Sequence, residues 1–142
     1  MKGDNTLTRF LDAQRNDYAT ALSEIKNGRK RSHWMWYIFP QIKGLGFSQT
    51  SGFYAIKDKE EAIAYLNHPV LGGRLIAISK ELLNLPVSNA NAIFGKPDDL
   101  KLRSSMILFA ALPDTHPVFE AVLMKFFGGI GDGTTLELLN KI

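Results

Sequence analysis

His68-Pro69-Val70-Leu71-Gly72-Gly73-Arg74-Leu75-Ile76-Ala77-Ile78-Ser79-Lys80-Glu81-Leu82-Leu83-Asn84-Leu85-Pro86 is the run that decides the class of this chain. Leu71, Leu75, Ile78, Leu82 and Leu85 return at steps of three and four, which lines one face of an α-helix with apolar groups. Pro69 suits a first helical position, and Pro86 ends the helix because its ring cannot continue one. Just upstream, Asp58-Lys59-Glu60-Glu61 has the spacing of a capping box and opens a helix to about Asn67, its acids serving as dipole partners in the first turn. Downstream, Gly95-Lys96-Pro97-Asp98-Asp99 is a turn feeding a helix that runs through Leu112 to its stop at Pro113. His116-Pro117 repeats the earlier opening device, and Gly128 closes the helix that carries Phe119, Val122, Leu123 and Phe126.

The N-terminal part reads the same way. Leu7, Phe10, Leu11, Tyr18, Leu22 and Ile25 predict an amphipathic helix from about Thr6 to Asn27, with Asn16 as the point where a break would fall and Gly28 as the stop. Ser32 can cap a short helical segment limited by Pro40, and a last helix starts from Asp132 or Thr134. Strand signals are confined to Ile38–Ile42 and Phe53–Ile56. The expectation is a single domain over residues 1–142, mainly α: a compact orthogonal bundle of roughly six to eight short helices with at most minor strand content.

Composition narrows the chemistry. With 45% hydrophobic residues in 142, the chain can bury a core without staples. It has no cysteine, which excludes disulfides, thiolate nucleophiles and Cys-based zinc sites. The N-terminus is polar and does not read as a signal peptide, and no apolar run reaches bilayer-spanning length, so a cytoplasmic protein without a membrane partner is expected. A net charge of +3 is too mild to imply nucleic acid. His33, His68 and His116 fall at no metal-ligand spacing, so no metal site is expected. Gly128-Gly129-Ile130-Gly131-Asp132-Gly133-Thr134-Thr135 has the outline of a phosphate loop, but Thr134 stands where the catalytic lysine belongs and a helix precedes it. Gly44-Leu45-Gly46 carries two glycines of a dinucleotide fingerprint without the third.

The segment with most chemistry is Gly28-Arg29-Lys30-Arg31-Ser32-His33-Trp34-Met35-Trp36-Tyr37-Ile38-Phe39-Pro40-Gln41, where cations and a histidine run into four aromatics. Successive residues of a helix advance by about 100°, so these rings cannot all face one core. A planar or phosphorylated ligand suits such a surface: Trp34 and Trp36 stack, while Arg29, Lys30, Arg74 and Lys101 meet anions, with Gln41 and Ser104 as further polar contacts. The cations around Arg29 and those around Lys101 and Arg103 are expected to converge on one anion. His33 and Asp98 are the candidates for proton transfer. A Ser104/His33/Asp98 triad can be assembled on paper, but Ser104 lies mid-helix without the elbow that exposes a hydrolase serine. The favoured reading is a pocket binding or processing a nucleotide-like or phosphorylated small molecule, with no cofactor identified. A protein-interaction patch of exposed aromatics and Arg is the alternative, and single-stranded nucleic-acid binding comes third.

The His-Trp-Met-Trp and Ser-Ser-Met segments, with Arg9-Phe10, His68-Pro69-Val70-Leu71-Gly72, Ile93-Phe94-Gly95 and Asp98-Asp99-Leu100-Lys101 to Met106, resemble a bacterial family known as domain of unknown function 1810. The resemblance covers nearly the whole chain and implies a small, mainly helical, cytoplasmic protein. It brings no established activity. Ile107 departs from the Thr expected there, which removes any hydroxyl role at that position. Members of that family often carry the label calpastatin, which does not suit this chain: such an inhibitor is long and disordered, whereas this sequence has the apolar periodicity of a packed domain.

Overall fold

The computed structural model describes residues 2–45, 48–129 and 133–140, with side chains from Leu7 onward. Among these residues the chain forms nine helices: α1 Lys2–Lys26, α2 Met35–Ile38, α3 Gln49–Tyr54, α4 Lys59–Asn67, α5 Leu71–Asn84, α6 Ala90–Phe94, α7 Asp98–Ala110, α8 Val118–Phe127 and α9 Gly133–Asn140. That is one more than the upper end of the expected count, and two short helices, α3 and α6, were not marked in the sequence; both have a polar cap at their start. Ser48 Oγ accepts from Ser51 N at 3.0 Å to open α3, and Asn89 Oδ1 accepts from Asn91 N and Ala92 N to open α6. Gly46 and the Asp132 cap fall outside the described residues, as does the middle of the glycine-rich turn.

The strand expectations reduce to a single parallel bridge, Ile42 to Ile56. Lys43 N donates to Ile56 O and Ile56 N donates to Gln41 O, each at 2.8 Å. Part of each candidate strand winds into a helix, Ile38 into α2 and Phe53 and Tyr54 into α3, which leaves little to extend the pairing. Helix α1 passes Asn16 without a break and closes at Gly28, whose φ of +77° is the left-handed value that a helix C-terminus favours for glycine.

Helix α7 is the centre of the bundle and packs against α4, α6, α8 and α9. Ser104 to Phe109 are six consecutive buried residues, so this helix is enclosed on all sides rather than along one stripe. Phe10, Tyr65, Phe109 and Phe119 form a chain of ring contacts across the core with centroids 5.0 to 5.7 Å apart. At the open end of α5, Lys125 Nζ donates to the carbonyls of Leu82, Leu83 and Leu85, a cation placed where helix carbonyls lack partners.

The histidines that precede prolines are caps. His68 Nδ1 accepts from Val70 N and Leu71 N, and His116 Nδ1 accepts from Val118 N. One half of the capping box forms, with Asp58 Oδ1 accepting from Glu61 N at 2.8 Å. Glu61 turns its own carboxylate to Lys57 N and to Arg9, whose guanidinium also donates to Phe53 O and Ala55 O and so ties α1 to the end of α3.

At Gly72 the start of α5 lies against the end of α4, and a Cβ there would stand 1.9 Å from Leu66 O. Next to it, Gly73 has nothing within 4 Å of a built Cβ. Neighbouring alanine substitutions should therefore have opposite signs. Gly72→Ala is expected to cost about 2 kcal/mol or more through backbone displacement, whereas Gly73→Ala should be neutral or stabilise by up to about 1 kcal/mol through helix propensity. Thermal unfolding of the two variants checks this, and equal shifts would contradict the close approach.

Candidate functional site

The segment between α1 and α2 is held from below by one carboxylate. Glu24, in the last turn of α1, accepts from Arg31 N at 2.7 Å, Ser32 N at 2.9 Å, Ser32 Oγ at 2.6 Å and Trp34 Nε1 at 2.9 Å. Ser32 therefore spends its hydroxyl on Glu24 and does not cap α2, which has no side-chain cap. Burial pushes the Glu24 carboxyl up, but its four hydrogen bonds together outweigh that and hold it at about 2 against an ordinary 4.5.

Trp34, 1% exposed, is a core residue with edge-on and tilted neighbours in Phe39 and Phe94. It cannot stack on a ligand. His33 is exposed, and its backbone carbonyl accepts from Tyr37 Oη at 3.2 Å. Its side chain lines neither cavity described below. Arg29 is exposed as well. Arg74 belongs to a different cluster: it lies over the Tyr18 ring, and its Nη1 donates to Gln14 Oε1 at 3.3 Å. Gln14 in turn donates to Tyr37 O and Tyr65 Oη.

The residues that do converge are Lys30, Trp36, Gln41, Asp98, Lys101 and Ser104. Lys30 Nζ meets Asp98 Oδ2 at 2.9 Å and Lys101 Nζ meets Asp98 Oδ1 at 3.2 Å, so the two basic clusters meet around one anion. The anion between them is the protein's own carboxylate. Burial would raise the Asp98 carboxyl, and the bonds and charges of Lys30 and Lys101 outweigh it, leaving Asp98 below its ordinary value. A carboxylate held ionised in this way is a weak proton acceptor near neutral pH.

Lys101 Nζ also sits 3.9 Å from the centroid of the Trp36 ring. Trp36 is half-buried and forms the wall between two hollows. One, of about 270 Å³, is lined by Gln41, Leu45, Pro97, Leu100, Lys101 and Ser104. The other, of about 170 Å³, lies toward Lys43, Ser51, Tyr54 and Ala55 and shares Trp36, Gln41 and Leu45 with the first. Gln41 is 8% exposed and its Nε2 has no hydrogen-bond partner, an unsatisfied buried donor at the junction of the two hollows.

Sequence reasoning named Trp36, Gln41, Lys101 and Ser104 but missed the apolar half of the lining. Leu45, Pro97 and Leu100 lie in turns and at a helix start, and Pro97 and Leu100 stay exposed, so no periodicity marks them as part of a lining. Glu24 was also missed; the available signal was an acid one turn before a helix-ending glycine. No three His, Asp or Glu side chains among the described residues are grouped to hold a metal. No helix among them is long and apolar enough to cross a membrane.

The fold and this arrangement define a small helical domain in which a lysine-bracketed aspartate stands beside a tryptophan-walled cavity. The chain belongs to the family described as Protein of unknown function (DUF1810), whose pattern matches residues 4–139. It is similar to the crystal structure of the conserved hypothetical protein Rv1873 from Mycobacterium tuberculosis, at 46% sequence identity and a TM-score of 0.92, over 94% of this chain and 96% of that one. No curated protein matches it.

The Glu24 carboxyl titrates lower in the folded chain than in the unfolded one, so the unfolded state binds the proton first as pH falls. Its contribution to stability is thus complete above about 4.5 and lost as pH drops toward about 2. Glu24→Gln should lower the melting temperature at neutral pH and flatten the loss of stability across that acid range relative to the wild type. Identical acid unfolding profiles for the two proteins would remove Glu24 from this role.

Proposed function

We propose that the chain binds a small planar anionic molecule of the nucleotide-like or phosphorylated kind in the cavity beside Trp36. The observation that carries this reading is the fixed position of the Lys101 ammonium, held by Asp98 and the Trp36 face at the rim of a hollow that also contains the unsatisfied Gln41 amide. A site of this kind combines an apolar wall for a ring with a few convergent polar groups. Proton transfer has less support than binding, since His33 stands exposed away from the lining and Asp98 is ion-paired on both sides. A protein-docking patch built on both tryptophans has less support too, because Trp34 is in the core.

The two tryptophans give the test its readout. A ring placed against Trp36 should change the intrinsic fluorescence, while Trp34, enclosed in the core, should report nothing. Ligands are found by thermal shift over nucleotides, sugar phosphates and ring carboxylates, since binding to the native state alone raises the melting temperature. For any ligand so found, Trp36→Phe should abolish the fluorescence change. Lys101→Met should weaken binding about tenfold or more while leaving Asp98 paired with Lys30. A ligand whose fluorescence response survives Trp36→Phe binds elsewhere, and a screen without ligands would defeat the reading.

A further inference from the structure

We propose that this site, taken as the ligand site argued above, selects a planar ligand carrying a single negative charge, a ring carboxylate or a phosphodiester, over a phosphomonoester dianion.

The reason is the charge that the protein has already placed there. Two ammonium groups share one carboxylate, Lys30 and Lys101 on Asp98, which leaves a surplus of one positive charge. The surrounding charges do not add to it. Asp99, which accepts from Asn91 Nδ2 and Leu100 N, and Arg103, which lies against the Phe127 ring, carry opposite charges that sum to zero, and Lys43 and Lys96 are exposed, where water and salt screen them. Attraction to a fixed positive surplus grows in proportion to the charge of the ligand. The cost of removing that charge from water grows as its square, so in a part-buried site the second charge of a dianion costs more than it returns.

The donors point the same way. An ammonium has three N–H groups. Those of Lys30 are used by Asp98, by Ser32 O at 2.5 Å and by the face of Trp34. Lys101 gives one to Asp98 and turns another to Trp36, which leaves one for a ligand. No arginine lies among the described residues that line the cavity, so the paired fork that grips phosphate oxygens is missing. A phosphomonoester brings three strong acceptor oxygens and two charges to a lining whose donors, beyond that one ammonium N–H, are neutral groups such as the Gln41 amide. The apolar surface of Trp36, Leu45, Pro97 and Leu100 suits the ring instead.

The experiment compares matched pairs by isothermal titration: benzoate against phenyl phosphate, and a 3′,5′-cyclic nucleotide against its 5′-monophosphate. At about pH 8 the singly charged member of each pair should bind about tenfold tighter or more. The tighter of benzoate and the cyclic nucleotide tells whether a carboxylate or a phosphodiester is preferred. Asp98→Asn raises the surplus to two positive charges and should bring the ratio to near one or reverse it. Should that variant not fold, pH does the same work in the wild type. Phenyl phosphate takes up its second proton near about pH 6, so its disadvantage should shrink to within about threefold at about pH 5, where Asp98 remains ionised. A dianion that binds tighter at pH 8, or a ratio that neither Asp98→Asn nor pH changes, overturns the selection while leaving the cavity a ligand site. If no member of either pair binds, the ligand-site reading fails and the selection fails with it.

Discussion

Lys30 is a cation whose side chain is only 8% exposed, and an ammonium removed from water to that degree needs an anion and further acceptors to remain charged. It has them. Asp98 supplies the anion from the first turn of α7, and Ser32 O supplies the acceptor from the cation's own loop. The backbone of the same residue donates to Ile93 O in α6 at 2.8 Å, so a single residue joins the connection after α1 to two later helices. Because Asp98 is shared, Lys101 is fixed by the same anion. The position of the cavity's ammonium therefore follows from a contact made on its far side.

Glu24 does the complementary task for the backbone. Two N–H groups that precede α2 would be left without partners in a partly buried loop, and the carboxylate satisfies both along with a hydroxyl and the Trp34 indole. Fixing the Trp34 ring fixes the phase of α2. With Trp34, Met35 and Ile38 turned inward, rotation by about 100° per residue leaves Trp36 and Tyr37 at the boundary. One tryptophan is thus consumed by the fold and its neighbour but one is left for a cavity.

That division shows what could be read in the chain and what could not. The long helices were legible because period and punctuation agree: Leu71 to Leu85 between Pro69 and Pro86, the Asp58 box, and Gly28 and Gly128 at helix ends. Helices α3 and α6 were missed because helices of 6 and 5 residues are too short for periodicity, so only their caps, Ser48 and Asn89, could have marked them. The basic clusters were legible as a convergence, but composition does not say whether the anion at the centre is a ligand or an aspartate. Trp34 and Trp36 are the same residue type two positions apart, and their separation into core and cavity depends on a rotation that Glu24 sets from another element. Arg74 was misplaced for a related reason. Its helix face was readable, but the neighbours of that face, Gln14 and Tyr18 of α1, are set by how two helices pack.

Helix α2 is only 4 residues long, too short to be stable by itself, yet it carries the wall of the cavity. Polar systems on two sides make up for this. Toward α1, Tyr37 donates to the Asp17 carboxylate and its backbone carbonyl accepts from Gln14, which Arg74 holds from α5. Toward α7, the Trp36 ring lies under the Lys101 ammonium, which Asp98 holds in place. The Tyr37 phenol is raised far above its ordinary range, first by burial and then by its bond to Asp17, so it remains a donor throughout the physiological range. A short helix clamped from both sides has little freedom left, so the position of the Trp36 wall is set by contacts within the fold itself.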